Sequence, residues 1–338
     1  MSLPEPAPVR EADGADAPAF RAARDVGEPI LFRGLARDWP LTRAARGGAA
    51  GVREHLRPHL TGARVQAFEA EGTDGPARFT YTDDLAGFTF RRHDVSLRDV
   101  LDSLVQRETD PDAPALYAGG VNVPATVPGL AGELPPPFLP TGTDHLASLW
   151  LGTRSSVPAH WDLPQNLAAC VAGTRRFTLF PTTQVPNLYI GPLERTVAGQ
   201  PSSLVDVDAP DLARFPRYAE AARHARVADL GPGDVLYVPS LWLHAVRSDG
   251  PFGMLVNFWW RDGPAHLVTP MLTLMHAQLT LRGMPKRERE AWRVLFDAYA
   301  FTDDPAPHLP EAVKGVIGSP TPERVGWLRQ MLARSLSR

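Results

Sequence analysis

The most restrictive feature of the sequence is a region of short apolar segments separated by turns. It runs from about residue 146 to residue 262, and Gly231-Pro-Gly-Asp234 is one of its turns. Segments this short, bounded by glycine and proline, predict strands rather than helices. Several short strands in succession are typical of an antiparallel sandwich or barrel. We therefore predict a mainly β fold for the chain.

The pattern of this region also predicts how neighbouring strands pair. Residues 166–171 and 176–180 flank Gly173, and we expect a hairpin there because glycine permits a tight turn. Further strands are predicted at residues 227–230, 235–238, 242–246 and 254–260. The irregular stretch at residues 184–224 is expected to line a groove beside these strands.

The flanking regions differ in composition from the β region. Residues 1–17 are rich in proline, alanine and acidic groups, and we expect a mobile tail. Residues 18–145 are predicted to form α/β elements that flank the barrel, and the many prolines at residues 122–143 favour an extended connection. Residues 263–338 have leucines and methionines at helical spacing. Those helices are predicted to cover the barrel or to form a dimer contact.

Charge and cysteine content exclude several classes of function. The net charge is −3 over 338 residues, so no bulk electrostatic attraction favours nucleic acid or an anionic membrane. Cys170 is the only cysteine, which excludes an intrachain disulfide and a cysteine-based zinc site. The sequence has no signal-peptide pattern and no apolar run near the roughly 18 residues of a membrane helix. We expect a cytoplasmic protein without nucleic-acid or membrane partners.

A His-X-Asp motif lies within the β region, at His160 and Asp162. Residues two apart on a strand point to the same face, so both side chains can approach one point. An imidazole and a carboxylate make up two thirds of the 2-His-1-carboxylate set that leaves positions open on Fe(II). His244, on a short strand after the turn at residues 231–234, is the candidate third ligand. Two histidines and one aspartate also suit zinc, so a zinc hydrolase is an alternative.

Several further motifs accompany these three residues in a fixed order. They are Pro158-Ala-His160-X-Asp162-X-X-Gln165-Asn166, Gly173-X-Arg175-Arg176-X-X-Leu179-Phe180-Pro181, Gly231-Pro-Gly-Asp234-Val-Leu-Tyr-Val-Pro239, Trp242-X-His244 and Val256-Asn257-Phe-Trp259. The set resembles the jumonji-C and cupin-like hydroxylases, which are Fe(II)- and 2-oxoglutarate-dependent oxygenases. The closest resemblance is to the branch of the asparaginyl hydroxylase that acts on hypoxia-inducible factor.

The resemblance implies a fold and a metal. The fold is a double-stranded β-helix, or jelly roll, formed by residues 146–262, with flanking N-terminal α/β elements and a C-terminal helical extension. The implied metal ligands are His160, Asp162 and His244, which would bind Fe(II). Dioxygen would be the co-reactant, and 2-oxoglutarate the cosubstrate.

The resemblance also implies which residues hold the cosubstrate. Arg175 would bind the distal carboxylate of 2-oxoglutarate, helped by the hydroxyl of Tyr117, and Asn166 and Asn257 would line the pocket. Strand alternation places Arg175 on one face with the apolar Phe177 and Leu179, where a charged group needs a buried anion. Arg176, on the opposite face, is expected in solvent. Val157 departs from the pattern, since the family relative has there a threonine hydroxyl that contacts 2-oxoglutarate.

Three hypotheses about function follow. The first is an oxygenase that hydroxylates an amino-acid side chain of a protein or peptide, with succinate and carbon dioxide as coproducts. The second is an oxygenase of a small molecule, such as a free amino acid or a natural-product intermediate. The third is a cupin-like binding protein without turnover, which the valine at position 157 favours. The resemblance also favours a homodimer formed through the C-terminal helices.

Overall fold

The structure is a computed structural model that describes residues 3–71, 75–110, 112–197 and 199–336. Contacts divide the chain into unit 1, Met1–Arg261, and unit 2, Asp262–Arg338. Unit 1 contains the whole β region together with everything that precedes it in sequence. The elements of residues 18–145 are therefore part of the same unit as the strands that follow them.

The strands belong to unit 1. In chain order they are β1 (Ala7–Pro8), β2 (Arg10–Asp13), β3 (Ile30–Arg33), β4 (Arg64–Ala70), β5 (Ala77–Arg78), β6 (Arg91–Ser96), β7 (Ala115–Asn122), β8 (Leu146–Gly152), β9 (Ser155–Trp161), β10 (Gln165–Ala172), β11 (Arg175–Phe180), β12 (Arg226–Leu230), β13 (Val235–Val238), β14 (Leu243–Ser248) and β15 (Gly253–Trp260).

Helices are found in both units. The α-helices are α1 (Ala17–Val26), α2 (Pro40–Ala44), α3 (Gly48–Leu56), α4 (Leu97–Arg107), α5 (Val123–Thr126), α6 (Tyr218–Arg223), α7 (Pro270–Thr280), α8 (Lys286–Tyr299) and α9 (Pro322–Leu336). Short 3-10 helices lie at Ala45–Gly47, Arg57–His59, Pro128–Glu133, Thr182–Asn187, Glu311–Val313 and Gly315–Ile317. None of the helices that the structure describes is long and apolar enough to cross a membrane.

The strands form two large sheets. Among the described residues, one sheet has the order β1-β12-β11-β14-β9-β5 and the other the order β2-β3-β13-β10-β15-β8-β7-β4-β6. Side chains from the two sheets pack together, as in the cluster that joins Ala168 and Leu255 of one sheet to Phe177 and Leu230 of the other. The predicted mainly β jelly roll is confirmed by these two packed sheets.

The hairpin predicted around Gly173 is wrong. β10 pairs with β13 and β15 in one sheet, whereas β11 pairs with β12 and β14 in the other. The chain crosses between the sheets at Gly173, whose φ of 68° is a left-handed conformation that favours glycine. A Cβ at this position would lie 2.5 Å from the carbonyl oxygen of Phe252. The glycine thus marks a change of sheet rather than a tight turn between paired strands.

The N-terminal segment differs from the mobile tail that its composition suggested. β1 pairs in parallel with β12 and β2 pairs in parallel with β3, so residues 7–13 add strands to both sheets. Val9, which links β1 and β2, is buried in the core cluster that joins the two sheets. Proline and alanine favoured disorder locally, but the exposed edges of two sheets supply backbone partners. Residues 1 and 2 lie outside the described residues.

The connection at residues 122–143 is also more regular than its prolines suggested. Helix α5 begins after Asn122, whose side chain accepts a hydrogen bond from the amide of Ala125. Pro124 lies in the first turn, where its missing N–H removes no helical hydrogen bond. A 3-10 helix, Pro128–Glu133, follows and buries Leu130. Proline here starts short helices instead of excluding them.

Unit 2 consists of helices with little buried surface. Among its described residues only Ala306 is buried, and helices α7, α8 and α9 bury none. Many large apolar side chains are instead exposed. They include Leu272, Met275, Leu279, Trp292, Val294, Tyr299, Phe301, Trp327 and Leu336.

Candidate active site

Two paired strands bring the predicted metal ligands together. His160 on β9 is the register partner of His244 on β14, and Asp162 directly follows β9. The two imidazole rings lie 4.5 Å apart between centroids, and His244 Nε2 lies 3.7 Å from Asp162 Oδ2. One ligand atom from each residue lies within 4.8 Å of the others. Among the described residues, no other group of three such side chains converges in this way.

Backbone carbonyls orient both imidazoles. His160 Nδ1 lies 2.9 Å from the carbonyl oxygen of Pro158, and His244 Nδ1 lies 3.1 Å from that of Trp242. A carbonyl oxygen only accepts, so each Nδ1 carries the proton and each Nε2 keeps its lone pair. This outer hydrogen bond is typical of metal-binding histidine, because it fixes the ring and its tautomer.

Burial makes His244 a neutral ligand. Desolvation, reinforced by the neighbouring His160, lowers the pKa of His244 to about 4. At neutral pH its ring is therefore uncharged, which is the form that binds metal. Two imidazoles and one carboxylate match the donor set of a facial triad. The residues present thus fit a divalent metal that keeps other positions open.

Arg175 is a buried cation beside this triad. Its exposed fraction is 3%, and its Nη1 donates a hydrogen bond to Ser248 Oγ. No carboxylate of the described residues lies within ion-pair distance of it. Burial lowers the pKa of the guanidinium, but arginine stays charged in proteins. A buried charge without a counter-ion is costly, so the site fits an anionic ligand.

Arg176, which follows Arg175 in β11, shows that the strand alternation was predicted correctly. Arg176 is exposed and forms hydrogen bonds of 2.7 and 2.8 Å with the Asp229 carboxylate. Phe177 and Leu179 are buried on the side of Arg175, as expected. Gly253 leaves room for the buried arginine, since a Cβ at that glycine would contact the guanidinium.

Two asparagines and two tryptophans lie near the arginine. Asn257 Nδ2 donates to Asn166 Oδ1 over 2.9 Å, so the structure brings this predicted pair together. Asn257 Oδ1 is buried and has no hydrogen-bond partner among the described residues. The same is true of Trp150 Nε1 and Trp259 Nε1. Buried polar atoms without partners are rare in native proteins. Three of them in one place are consistent with a site that a polar ligand completes.

Two chambers adjoin the triad. The polar chamber has about 500 Å³ of space, part of it open to solvent, and its walls include Arg175, His244, Ser248 and Asn257. The aromatic chamber has walls that include Phe68, Phe79, Phe90, Val197 and Gln200. Both chambers share the residues Tyr117, Trp150, Val157, His160, Asp162 and Trp259. The triad therefore lies where a polar space meets an apolar one.

Tyr117 and Val157 lie at this junction. Burial raises the pKa of Tyr117, so its hydroxyl keeps its proton and acts as a hydrogen-bond donor. Val157 pairs with Val246 in the strand register and contributes an apolar wall where the resembling family has a hydroxyl. The structure thus places both residues beside the predicted cosubstrate site.

A comparison with known families accounts for this architecture. The cupin-like domain family matches residues 16–266, which is most of the chain and nearly all of unit 1. The chain belongs to the cupin-like domain family. The two packed sheets and the histidine–carboxylate cluster at β9 and β14 are consistent with this membership.

Individual relatives of this cupin-like chain match it over shorter stretches. It is 36% identical over 106 residues to tRNA wybutosine-synthesizing protein 5 of Gallus gallus, which covers 31% of this chain and 30% of that protein. It is 38% identical over 117 residues to HSPB1-associated protein 1 of Homo sapiens, covering 33% and 23%. It is 30% identical over 130 residues to Lysine-specific demethylase JMJ31 of Arabidopsis thaliana, covering 38% and 23%. The chain thus matches less than a third of the length of each relative.

Sequence reasoning missed most of the aromatic chamber. Phe68 lies on β4, Phe79 directly follows β5 and Phe90 directly precedes β6, and only long-range pairing brings them together. Ser248, the hydrogen-bond partner of Arg175, was missed as well. A usable signal was present for Ser248, because β14 alternation places it on the same face as His244 and Val246.

Proposed function

We propose that the chain is an Fe(II)- and 2-oxoglutarate-dependent oxygenase that hydroxylates an amino-acid side chain of a protein or peptide. One observation carries the proposal. A histidine–aspartate–histidine cluster shares a chamber with Arg175, a buried cation that has no carboxylate partner among the described residues. A metal and a dicarboxylate would together satisfy both halves of this chamber.

The residues fit the metal and the cosubstrate. His160, Asp162 and His244 would hold Fe(II) through two imidazole nitrogens and one carboxylate. When bound, Fe(II) supplies the redox chemistry by which dioxygen and 2-oxoglutarate yield a hydroxylated product, succinate and carbon dioxide. Because His160 and Asp162 line both chambers, a metal held by them would be accessible from each chamber.

Each polar residue of the chamber then has a role. Arg175 neutralises the distal carboxylate, because its planar fork can donate two parallel hydrogen bonds. Ser248 holds the guanidinium in place. Tyr117 donates its hydroxyl proton to the same carboxylate, and Asn257 is fixed by Asn166. Phe177 and Leu255 add apolar walls to the chamber, which lower its local polarity and strengthen these interactions.

A finer assignment to the branch of the asparaginyl hydroxylase acting on hypoxia-inducible factor is also a proposal. It is supported by the motif at residues 158–166 and by the sequence Gly231-Pro-Gly-Asp234-Val-Leu-Tyr-Val-Pro239. The net charge of −3 supports a protein or peptide substrate over a nucleic acid, since phosphate backbones attract basic surfaces. A small-molecule substrate remains the alternative, as an outcome of the test below.

The test is turnover of 2-oxoglutarate to succinate with Fe(II) and no added substrate. We expect succinate from the wild-type protein and at least about a thousandfold less from His160→Ala, since a lost ligand removes the metal. His276→Ala, in helix α7 of unit 2, is the matched control and should behave as wild type. Equal rates in wild type and His160→Ala would refute catalysis at this site.

Two other results would select the rival hypotheses. Binding of 2-oxoglutarate by calorimetry without any succinate would favour a cupin-like binding protein over an enzyme. Hydrolysis of an ester or amide in the presence of zinc, without 2-oxoglutarate, would favour a zinc hydrolase. Added peptide or free amino acids that gain one oxygen atom by mass spectrometry would separate the two oxygenase hypotheses.

We propose further that unit 2 mediates a homodimer. Its helices expose apolar side chains such as Leu272, Leu279 and Val294, whose surface a second copy would bury. Sedimentation velocity should give a dimer for the wild type and a monomer for a Leu279→Asp, Val294→Asp double variant. A wild-type monomer at micromolar concentrations would refute this proposal.

A further inference from the structure

The aromatic chamber, which adjoins the candidate metal ligands, is lined mainly by apolar side chains. Its walls include the rings of Phe68, Phe79, Phe90, Tyr117, Trp150 and Trp259. Outside the triad, the polar groups of the wall side chains are those of Gln200 and Ser202, the Tyr117 hydroxyl and the indole N–H groups of Trp150 and Trp259. Ser202 already donates its hydroxyl proton to the carbonyl of Gln200 over 3.3 Å. A ligand in this space would therefore meet mainly ring surface.

No side chain of the chamber would neutralise a charged ligand. Among the described wall residues, the ionisable acid and base are Asp162 and His160, which the metal would use. Arg175 lines the polar chamber and not this one. A carboxylate or an ammonium placed here would lose its hydration without gaining a counter-ion.

A cage of aromatic rings can nevertheless attract a cation. Arg92 already occupies that role on these rings. Its guanidinium carbon lies 5.9 Å from the Phe68 ring centroid and 5.7 Å from that of Phe90, two rings of the chamber. It also lies 4.9 Å from the Phe88 ring centroid. A second cation inside the chamber would compete with Arg92 for the same rings.

Hydrogen bonds hold one wall of the chamber in place. Arg92 donates to the carbonyls of Thr196 and Val197 over 3.0 and 2.9 Å. Tyr81 donates its hydroxyl proton to the carbonyl of Arg195 over 2.7 Å, and Arg195 donates back to the carbonyl of Ala86 over 3.1 Å. The strand bridge between His160 and Ser202 ties the same segment to β9. The chamber is thus formed before any ligand enters.

We propose that the aromatic chamber receives an uncharged, apolar group of the substrate, aliphatic or aromatic, and presents one of its C–H bonds to the metal. The inference rests on the proposed function, because it assigns the open side of that site to a substrate class. In the reaction one C–H bond breaks and one C–O bond forms. One atom of dioxygen enters the hydroxyl group and the other enters succinate, while 2-oxoglutarate loses carbon dioxide.

A pair of probes of equal shape tests the charge preference. 3,3-Dimethylbutan-1-ol carries a neutral tert-butyl group where choline carries a trimethylammonium group. Each is titrated by ligand-observed NMR into the protein loaded with zinc(II) and 2-oxoglutarate, which does not turn over. We expect the alcohol to bind at least about tenfold more tightly than choline, since only choline must lose ionic hydration. Equal or tighter binding of choline, or no binding of the alcohol, overturns the proposal.

Variants place the probe in the chamber. Val197→Trp fills the space and should weaken binding of the alcohol at least about tenfold, and Gln200→Trp is the second variant should the first fail to fold. Val26→Trp is the matched control, because Val26 is exposed on α1, away from the chamber walls. Unchanged binding in both chamber variants overturns the proposal.

Arg92→Met tests the role of the external charge. Choline binding should rise severalfold relative to the alcohol once the guanidinium is gone, and an unchanged ratio overturns the argument that Arg92 excludes cations. These binding results are independent of turnover. Loss of the neutral preference with succinate formation intact refutes the chamber assignment alone. Absence of succinate formation with the preference intact refutes the proposed function.

Discussion

The two chambers share six wall residues, but they contribute to the stability of the fold with opposite sign. Apolar packing of rings, with Phe79 buried among them, stabilises the aromatic chamber. The polar chamber instead holds a desolvated guanidinium at Arg175 and an imidazole at His244 that burial keeps neutral. One chamber adds to the stability of the fold, whereas the other lowers it until ligands bind.

Their origins in the fold also differ. Walls of the polar chamber come from β7, β8, β9, β11, β14 and β15, which are strands of the two sheets. Walls of the aromatic chamber come in part from residues 79–90 and 197–202, outside the central strands. The proposed metal and cosubstrate site is thus built by the sheets, and the proposed substrate chamber is built in part by segments added to them.

The largest effect on this contrast is expected from Phe79→Ala. Deleting a fully buried ring from the aromatic chamber should lower the free energy of unfolding by about 3 to 5 kcal/mol, because it leaves a cavity. Urea denaturation followed by circular dichroism measures the loss. Phe301→Ala, at an exposed position in unit 2, is the control and should change stability little. A small loss at Phe79 would show that packing does not hold this chamber.

The polar chamber should lower the stability of the metal-free protein as the pH falls. Burial lowers the pKa of His244 to about 4, so between pH 6.5 and 4 the unfolded chain binds a proton that the folded, metal-free protein does not. The free energy of unfolding therefore has its full value above pH 6.5. It decreases as the pH falls, by roughly 3 kcal/mol at pH 4. Urea denaturation of chelator-treated protein across this range measures the slope. The slope should be smaller in His244→Gln, and an equal slope would assign it to other groups.

Arg175→Met should separate stability from cosubstrate binding. Removing an unpaired buried charge should raise the free energy of unfolding of the ligand-free protein by about 1 kcal/mol or more. The same change should weaken 2-oxoglutarate binding about a hundredfold, or about 2.7 kcal/mol, because the carboxylate loses its cation. Calorimetry and urea denaturation measure the two effects.

Arg176→Met is the control for this variant. Arg176 is exposed beside Asp229, so its replacement should leave 2-oxoglutarate affinity unchanged. A destabilised Arg175→Met protein would contradict the view that the polar chamber lowers stability.

The smallest effect is expected from Val157→Thr. A hydroxyl at this wall of both chambers should tighten 2-oxoglutarate binding about threefold, which is within the net worth of one hydrogen bond of about 0.5 to 1.5 kcal/mol. Val157→Ala removes bulk without adding a donor and should give no gain. Similar affinities in the two variants would show that the hydroxyl does not reach the ligand.

The sequence predicted the polar chamber better than the aromatic one, for a physical reason. His160 and Asp162 follow from strand alternation within one segment, and so does the burial of Arg175 beside the exposed Arg176. The motif around His244 supplied the third member. The placement of His160, Asp162 and Arg175 depends on local periodicity, which a sequence shows directly, whereas His244 was predicted from its motif and the family resemblance.

The remaining features depend on pairing over long distances. Phe68 and Phe79 reach the chamber because β4 pairs with β7 and β5 pairs with β9. The change of sheet at Gly173 and the strands at residues 7–13 likewise depend on which edges are available. A tight turn and a mobile tail were reasonable readings of the local sequence, but they were decided by tertiary partners.

The sheet change at Gly173 has a consequence for the rate of folding. Since β10 and β11 do not pair with each other, each must wait for partners supplied by β12–β15, much later in the chain. Pairing between strands far apart in sequence makes folding slow, because conformational entropy is lost before the stabilising contacts form. His160 and His244 come together only when β9 and β14 pair. A refolding chain should therefore acquire metal affinity late, in the same kinetic phase as the sheet itself.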